Sequence, residues 1–192
     1  MTEVWLVRHG QTDWNLQGRL QGWTDIPLNG EGIRQAHTLG FALQGILAHH
    51  LYTSDLTRAY TTAVIVGSYL HLPVKVDTRL REKSFGAMEG FLQSEIQFLD
   101  QSNNGFTHPN VTEGDMDIGQ ETDTQVLHRG LDFLTFVRTQ HMGNRIICVS
   151  HGRWIRILLQ ELGANKHDAI GNTHVTSLVT EKDKWRLTGH FR

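Results

Sequence analysis

The 192-residue sequence has a single cysteine, Cys148, and only three prolines. One thiol excludes an internal disulfide, so packing has to hold the fold together, and a reducing, cytoplasmic compartment fits best. Cys148 lies in the apolar run Arg145-Ile146-Ile147-Cys148-Val149, where a small thiol reads as core. No apolar run approaches the ~20 residues needed to cross a bilayer. The N-terminus lacks the basic and apolar regions of a secretory leader. An excess of either sign of charge is also lacking. A formal net charge of -2 lacks the general basic character of a nucleic-acid or anionic-membrane binder. Neither partner is expected, and any anion site has to be local. Repeats and low-complexity tracts are absent. The 12 histidines include no His-Glu-x-x-His and no paired Cys/His spacing. The pair His49-His50 therefore reads as solvated surface, and neither a metal nor a cofactor is expected.

What is present is alternation. Short strand-like runs occur at Val4–Val7, Leu51–Thr53, Val74–Val76, Ile146–Val149, Ser177–Thr180 and Trp185–Thr188. Helical spacing lies between several of them. Ile33, Ala36, Leu39, Leu43 and Ile46 follow the turn Pro27-Leu28-Asn29-Gly30. Leu56, Ala59, Ala63, Val66 and Leu70 follow Ser54-Asp55, a plausible helix start. Thr122 with Gln125 reads as a capping box, and Ile155, Leu158, Leu159 and Leu162 follow His151-Gly152. Strands alternating with helices predict an α/β fold, a three-layer α/β/α sandwich with a mostly parallel central sheet. Residues 1–192 read as one domain, interrupted at about 91–119 by an inserted lid, part helix and part loop, or else a surface loop.

Polar residues gather at element ends. The apolar run Trp5-Leu6-Val7 ends in Arg8-His9-Gly10, and Ile147-Cys148-Val149-Ser150 ends in His151-Gly152 and opens a helix. Arg58 follows a strand in Ser54-Asp55-Leu56-Thr57-Arg58-Ala59, and Glu82 follows Leu80-Arg81. In open α/β sheets ligands bind at the carboxyl ends of strands. Arginine offers a rigid fork suited to phosphate oxygens, and a helix N-terminus behind His151 adds N–H groups and a positive dipole end. Any one of these residues alone would read as ordinary: a satisfied strand-end histidine, a surface arginine, a solvated acid. Two arginines, two histidines and an acid together describe a phosphoryl pocket with a nucleophile and a proton donor.

These segments resemble the histidine phosphatase superfamily, in its phosphoglycerate-mutase-like branch. The matching residues are Val7-Arg8-His9-Gly10-Gln11-Thr12 with Asn15, Leu20-Gln21-Gly22, Asp25-Ile26-Pro27-Leu28, Gly32, and Ser54 to Ala59 with Thr61-Thr62-Ala63. Leu80-Arg81-Glu82, Gly86, Glu89-Gly90 and Val149-Ser150-His151-Gly152 complete the set, in the family's order along nearly the whole chain. The family's usual Gly-Glu-Ser stands here as Gly119-Gln120-Glu121-Thr122, so Glu121 is displaced by one and is given no catalytic role.

The resemblance implies a mechanism. His9, neutral and donating through its other nitrogen to a neighbour such as a backbone carbonyl, attacks phosphorus and becomes phosphohistidine. Arg8, Arg58 and a protonated His151 surround the phosphoryl oxygens. Glu82 protonates the leaving alkoxide and then activates water. Asn15, Gln21, Gly22 and Gly152 fall at positions that touch the phosphoryl group or substrate. The expected substrate is a small phosphorylated metabolite and the expected product inorganic phosphate. The alternatives are a bisphosphoglycerate-dependent phosphoglycerate mutase, a protein phosphatase, or a non-catalytic binder of phosphorylated ligands. The resemblance implies extra basic residues in the insert of a mutase. Here Ser84 to His128 contains no lysine or arginine and carries Glu89, Glu95, Asp100, Glu113, Asp115, Asp117, Glu121 and Asp123. Such a segment would repel a carboxylate-bearing substrate, which favours a phosphatase. A non-catalytic binder would be expected to lack His9, Glu82 or His151, and all three are present. Pattern alone leaves the oligomeric state open.

Overall fold

The computed structural model describes residues 1–94, 120–165, 170–181 and 184–191. Six strands form one sheet: β1 (Glu3–Arg8), β2 (His50–Thr53), β3 (Val74–Val76), β4 (Arg145–Ser150), β5 (Val175–Glu181) and β6 (Lys184–Phe191). Their order is β3-β2-β4-β1-β5-β6. The pairings β3–β2, β2–β4 and β4–β1 are parallel, while β1–β5 and β5–β6 are antiparallel. The sheet is thus mostly parallel with an antiparallel hairpin at one edge.

The two central strands are buried on both faces, and their alternate residues enter different cores. Val4, Leu6, Ile146 and Cys148 pack under helices α4 (Asp123–Gln140) and α5 (Gly152–Glu161), against Phe133, Leu134, Trp154 and Leu158. Trp5, Val7, Ile147 and Val149 pack under α2 (Gly30–Leu43) and α3 (Thr57–Leu70), against Leu39, Leu43, Ala59 and Val66. A strand covered on both sides reads as a continuous apolar run, and the period of two decides which core each residue joins. Helices on both faces make the three-layer sandwich. Cys148 is fully buried, and burial pushes its thiol well above the ordinary range. Among the described residues, no helix is long and apolar enough to cross a membrane.

One local expectation needs correction. The helix after Ser54-Asp55 begins later, at Thr57, and its N-cap Leu56 offers no side-chain bond. The cap comes from a distant turn instead: Asp25 accepts from the Thr57 N–H at 2.8 Å and from its hydroxyl at 2.5 Å. A short helix, α1 (Asp13–Gln17), follows the β1 turn, closed by a capping box between Thr12 and Asn15. The Thr122–Gln125 capping box of α4 is present. Of the expected insert, residues up to 94 are described; Phe91 accepts from the Leu20 N–H and Gln93 donates to the Gly18 carbonyl. Residues 95–119 lie outside the described residues.

Candidate active site

The register of the sheet assembles the site. Arg8 pairs with Ser150 across β1 and β4, so the residues that follow each, His9 and His151, leave the sheet side by side. Their ring centroids are 5.1 Å apart. The His9 N–H bonds the Ser150 carbonyl, and Asn172 donates its amide to the His9 carbonyl. The turn after His9 requires glycine for packing: a Cβ on Gly10 would lie 2.5 Å from the Gly32 carbonyl oxygen at the start of α2. The Gly10 N–H is held by the Thr62 hydroxyl of α3.

Every residue expected at the site, His151 excepted, lines one cavity of about 290 Å³. That volume is at the small end for ligand pockets. His151 is fully buried, its ring beside that of His9. His9 donates from Nδ1 to the carbonyl of Gly10 at 2.6 Å, which leaves Nε2 with its lone pair. Burial, followed by the charges of Arg58 and Arg8, holds His9 well below the usual imidazole range, against the opposing pull of the Gly10 carbonyl. His9 is therefore the neutral, oriented imidazole that nucleophilic attack requires.

His151 differs from its sequence-based expectation. Burial first, then Arg58, His9, Arg129 and Arg8, push it well below the usual range, so in the ligand-free site it is neutral rather than a standing cation. Both ring nitrogens are buried without a hydrogen-bond partner. A phosphoryl dianion would supply the missing acceptor and, by its charge, favour protonation of the ring.

Arg58 is fully buried and stretched between the Gly22 carbonyl, 2.6 Å from Nη2, and the Thr24 carbonyl, 2.9 Å from Nη1. Its Nε has no partner. Glu89 shapes that turn, accepting from the Trp23 and Thr24 N–H groups and from the Thr24 hydroxyl. Arg8 bonds the Ile170 carbonyl at 2.6 Å and likewise keeps Nε free. Gly152 lets α5 start close beside it: a Cβ there would lie 3.2 Å from Arg8 Nε. Two fixed guanidinium groups with unused donors suit a tetrahedral anion.

Glu82 occupies the place that an N-cap side chain would fill on α5. Its Oε1 accepts from the Trp154 N–H at 2.9 Å, and Oε2 accepts from the Arg153 N–H at 3.2 Å. The expected cradle of free N–H groups at this helix start is thus partly taken by the carboxylate, which the positive end of the helix attracts. Underneath, Arg129 donates to the carbonyls of Arg79, Arg81 and Glu82 and pairs with Glu121 at 2.9 Å. Glu121 is a brace for the Glu82 loop. Asn15 accepts from the Thr12 and Asn172 N–H donors, and Gln21 accepts from the Thr12 hydroxyl, so both amides are anchored at the cavity wall.

Among the described residues no group of three or more His, Cys, Asp or Glu side chains could hold a metal ion. His50 of the His49-His50 pair is only partly exposed and stacks on His141, with centroids 4.0 Å apart.

Residues 4–191 match the model of the histidine phosphatase superfamily, branch 1. The chain belongs to the histidine phosphatase superfamily. It is 34% identical over 191 residues to an uncharacterized phosphatase, PhoE, of Bacillus subtilis, covering 97% of this chain and 93% of that one. It is 33% identical over 190 residues to phosphoglycerate mutase-like protein 4 of Arabidopsis thaliana, covering 96% and 83%. Among solved structures it is similar to a phosphoserine phosphatase variant of Entamoeba histolytica in complex with phosphoserine, with a TM-score of 0.81, 28% identity and coverage of 99% and 96%. A mycobacterial glucosyl-3-phosphoglycerate phosphatase gives a TM-score of 0.80, 28% identity and coverage of 97% and 96%. As a histidine phosphatase superfamily member the protein is an enzyme, a phosphatase or a mutase.

Sequence reasoning missed other residues of this family member's cavity, among them Arg19, Lys83, Arg153 and Arg156. A signal existed for the last. Arg156 stands four residues after Gly152 in α5, and positions four apart share a helix face.

Proposed function

We propose that the protein hydrolyses phosphomonoesters of small metabolites through a phosphohistidine on His9. The observation that carries this is the His9 ring, fixed by Nδ1 on the Gly10 carbonyl and kept neutral by burial and two flanking arginines. Nε2 attacks phosphorus as the ester P–O bond breaks. The electron pair leaves on the ester oxygen, which takes a proton from Glu82. Arg8, Arg58 and His151 hold the non-bridging oxygens while charge shifts between them. The alcohol departs. Glu82, now a carboxylate, takes a proton from water as its oxygen bonds phosphorus. The P–N bond breaks, its electrons return to His9, and inorganic phosphate leaves.

Asn15, Gln21, Gly22 and Gly152 contribute shape and polar contacts at the cavity wall. Hydrolysis is favoured over transfer to a second hydroxyl because the stretch from Ser84 to His128 brings no lysine or arginine to hold a bisphosphate. The phosphatases among the structural neighbours, for phosphoserine and glucosyl-3-phosphoglycerate, support a small phosphorylated metabolite as substrate. The whole chain acts as one catalytic domain, with the segment at about 91–119 as an inserted lid. The test is hydrolysis of p-nitrophenyl phosphate in excess chelator. Turnover is expected, and His9→Ala should abolish it; turnover retained in that variant removes His9 as nucleophile. A parallel assay converting 3-phosphoglycerate to 2-phosphoglycerate, with and without bisphosphoglycerate, should show negligible mutase activity beside the hydrolysis.

A further inference from the structure

The cations around the cavity are not equivalent. Arg8 and Arg58 line the cavity, are anchored on backbone carbonyls and keep Nε without a partner. Arg19 bridges Gln17 and the Gly90 carbonyl. Lys83 and Arg153 share the Asp123 carboxylate, at 2.8 and 2.6 Å. Arg156 alone has no such anchor. Its Nε is buried without a partner, and among the described residues neither a carboxylate nor a carbonyl takes its guanidinium. It faces Arg8, whose protonation it disfavours, so it adds positive charge where two like charges already repel. A buried donor without an acceptor and a cation beside a cation are both unfavourable in the free protein. An arrangement of this kind is relieved when an anion arrives.

The phosphoryl group does not need this anion site. Two guanidinium groups and His151 already surround it, and Arg156 lies one turn further along the cavity-facing side of α5 than Gly152, which abuts Arg8. We infer that Arg156 forms a second anion subsite, which takes a carboxylate or phosphate carried by the alcohol part of the substrate. Arg156 is then a specificity-determining residue, and the favoured substrates are phosphomonoesters with a second anionic group. The inference rests on the phosphomonoesterase reading of the site.

Two matched substrate pairs test it. Glycerol 1-phosphate and 3-phosphoglycerate differ by a hydroxymethyl against a carboxylate. Fructose 6-phosphate and fructose 1,6-bisphosphate differ by a second phosphate. In at least one pair the wild type should favour the doubly anionic member in kcat/KM by about 10- to 100-fold, the range of a lost charge-assisted bond. The pair that shows it identifies the anion. Arg156→Met should collapse the preference, and Arg156→Lys should restore a large part of it. No preference in either pair for the wild type overturns the inference, whether or not the variants fold. Equal losses on both members of a pair in Arg156→Met also overturn it, because Arg156 would then serve the phosphoryl group itself. Wild-type hydrolysis of p-nitrophenyl phosphate separates these failures from failure of the phosphatase reading.

Discussion

The two histidines make the stability of this protein depend on pH in a calculable way. His9 is 2% exposed and His151 is fully buried, and both are held below the ordinary imidazole value, by burial first and by Arg58 second. An unfolded chain would titrate both near pH 6.5. Between pH 6.5 and the lower folded values, the unfolded state binds protons that the folded state refuses. Stability is therefore full above pH 6.5 and falls as pH drops below it. Each group contributes about 1.4 kcal/mol per pH unit in that window, so the pair contributes about 2.7 kcal/mol per unit. For a chain of 192 residues, about 2–4 °C of Tm accompanies each kcal/mol, which gives roughly 5–11 °C per pH unit. Differential scanning calorimetry from pH 7 to pH 5 measures this slope. His9→Asn and His151→Asn should each remove about half of it. His50 and His141 are also lowered, but both are far more exposed, and they remain in every variant and cancel. Saturating inorganic phosphate should flatten the wild-type slope, since the bound anion stabilises protonated His151. An unchanged slope in the double histidine variant would refute the assignment of both rings as neutral in the free site.

Two further perturbations separate chemistry from scaffolding. Glu82→Gln removes the proposed proton donor and should lower kcat on alkyl phosphates by about 10²–10⁴ while affecting aryl phosphates much less, as comparison of the two substrate classes would show. Equal losses would remove Glu82 from the proton transfer. Arg129→Met breaks a largely buried pair with Glu121 and leaves the carbonyls of Arg79, Arg81 and Glu82 without a donor. A loss of about 3–5 kcal/mol is expected, or roughly 6–20 °C in Tm, with kcat falling because the Glu82 loop is no longer held.

The parts of this molecule that were legible in its sequence are those encoded within a few residues. The continuous apolar runs Val4–Val7 and Ile146–Val149 read as strands, and their parallel register turns two distant His-Gly pairs into one site. The Thr122–Gln125 cap is local and was read. The Thr12–Asn15 box is equally local, but the family resemblance points Asn15 to a ligand contact and hides its capping role. Partners far apart in sequence were invisible. Asp25 caps α3 across 32 residues, and Glu82 reaches the start of α5 across 71 and 72. The charge of His151 could not be read from its motif either. Its neutrality comes from burial first and then from Arg58, a residue on another helix.

Charge counting along the chain does not see which acids the fold engages. Eight acids between Ser84 and His128 pointed to repulsion of a carboxylate-bearing substrate. Three of them are engaged by the fold. Glu89 accepts four donors from the turns at 22–24 and at Phe85, Glu121 pairs with Arg129, and Asp123 is shared by Lys83 and Arg153. The other five lie outside the described residues. The described wall carries Arg8, Arg19, Arg58, Lys83, Arg153 and Arg156 against Glu82 alone, which favours rather than opposes a second negative charge. Binding that charge therefore does not distinguish hydrolysis from transfer. The distinction lies in whether water or a second hydroxyl reaches phosphohistidine. A mutase has to retain a bisphosphate while it turns over, with cations on both of its phosphates. Here the described cavity cations come from β1, α3, α5 and the turns at 19 and 83, and the insert adds none by sequence. On the proposed reading, water rather than a second hydroxyl reaches phosphohistidine.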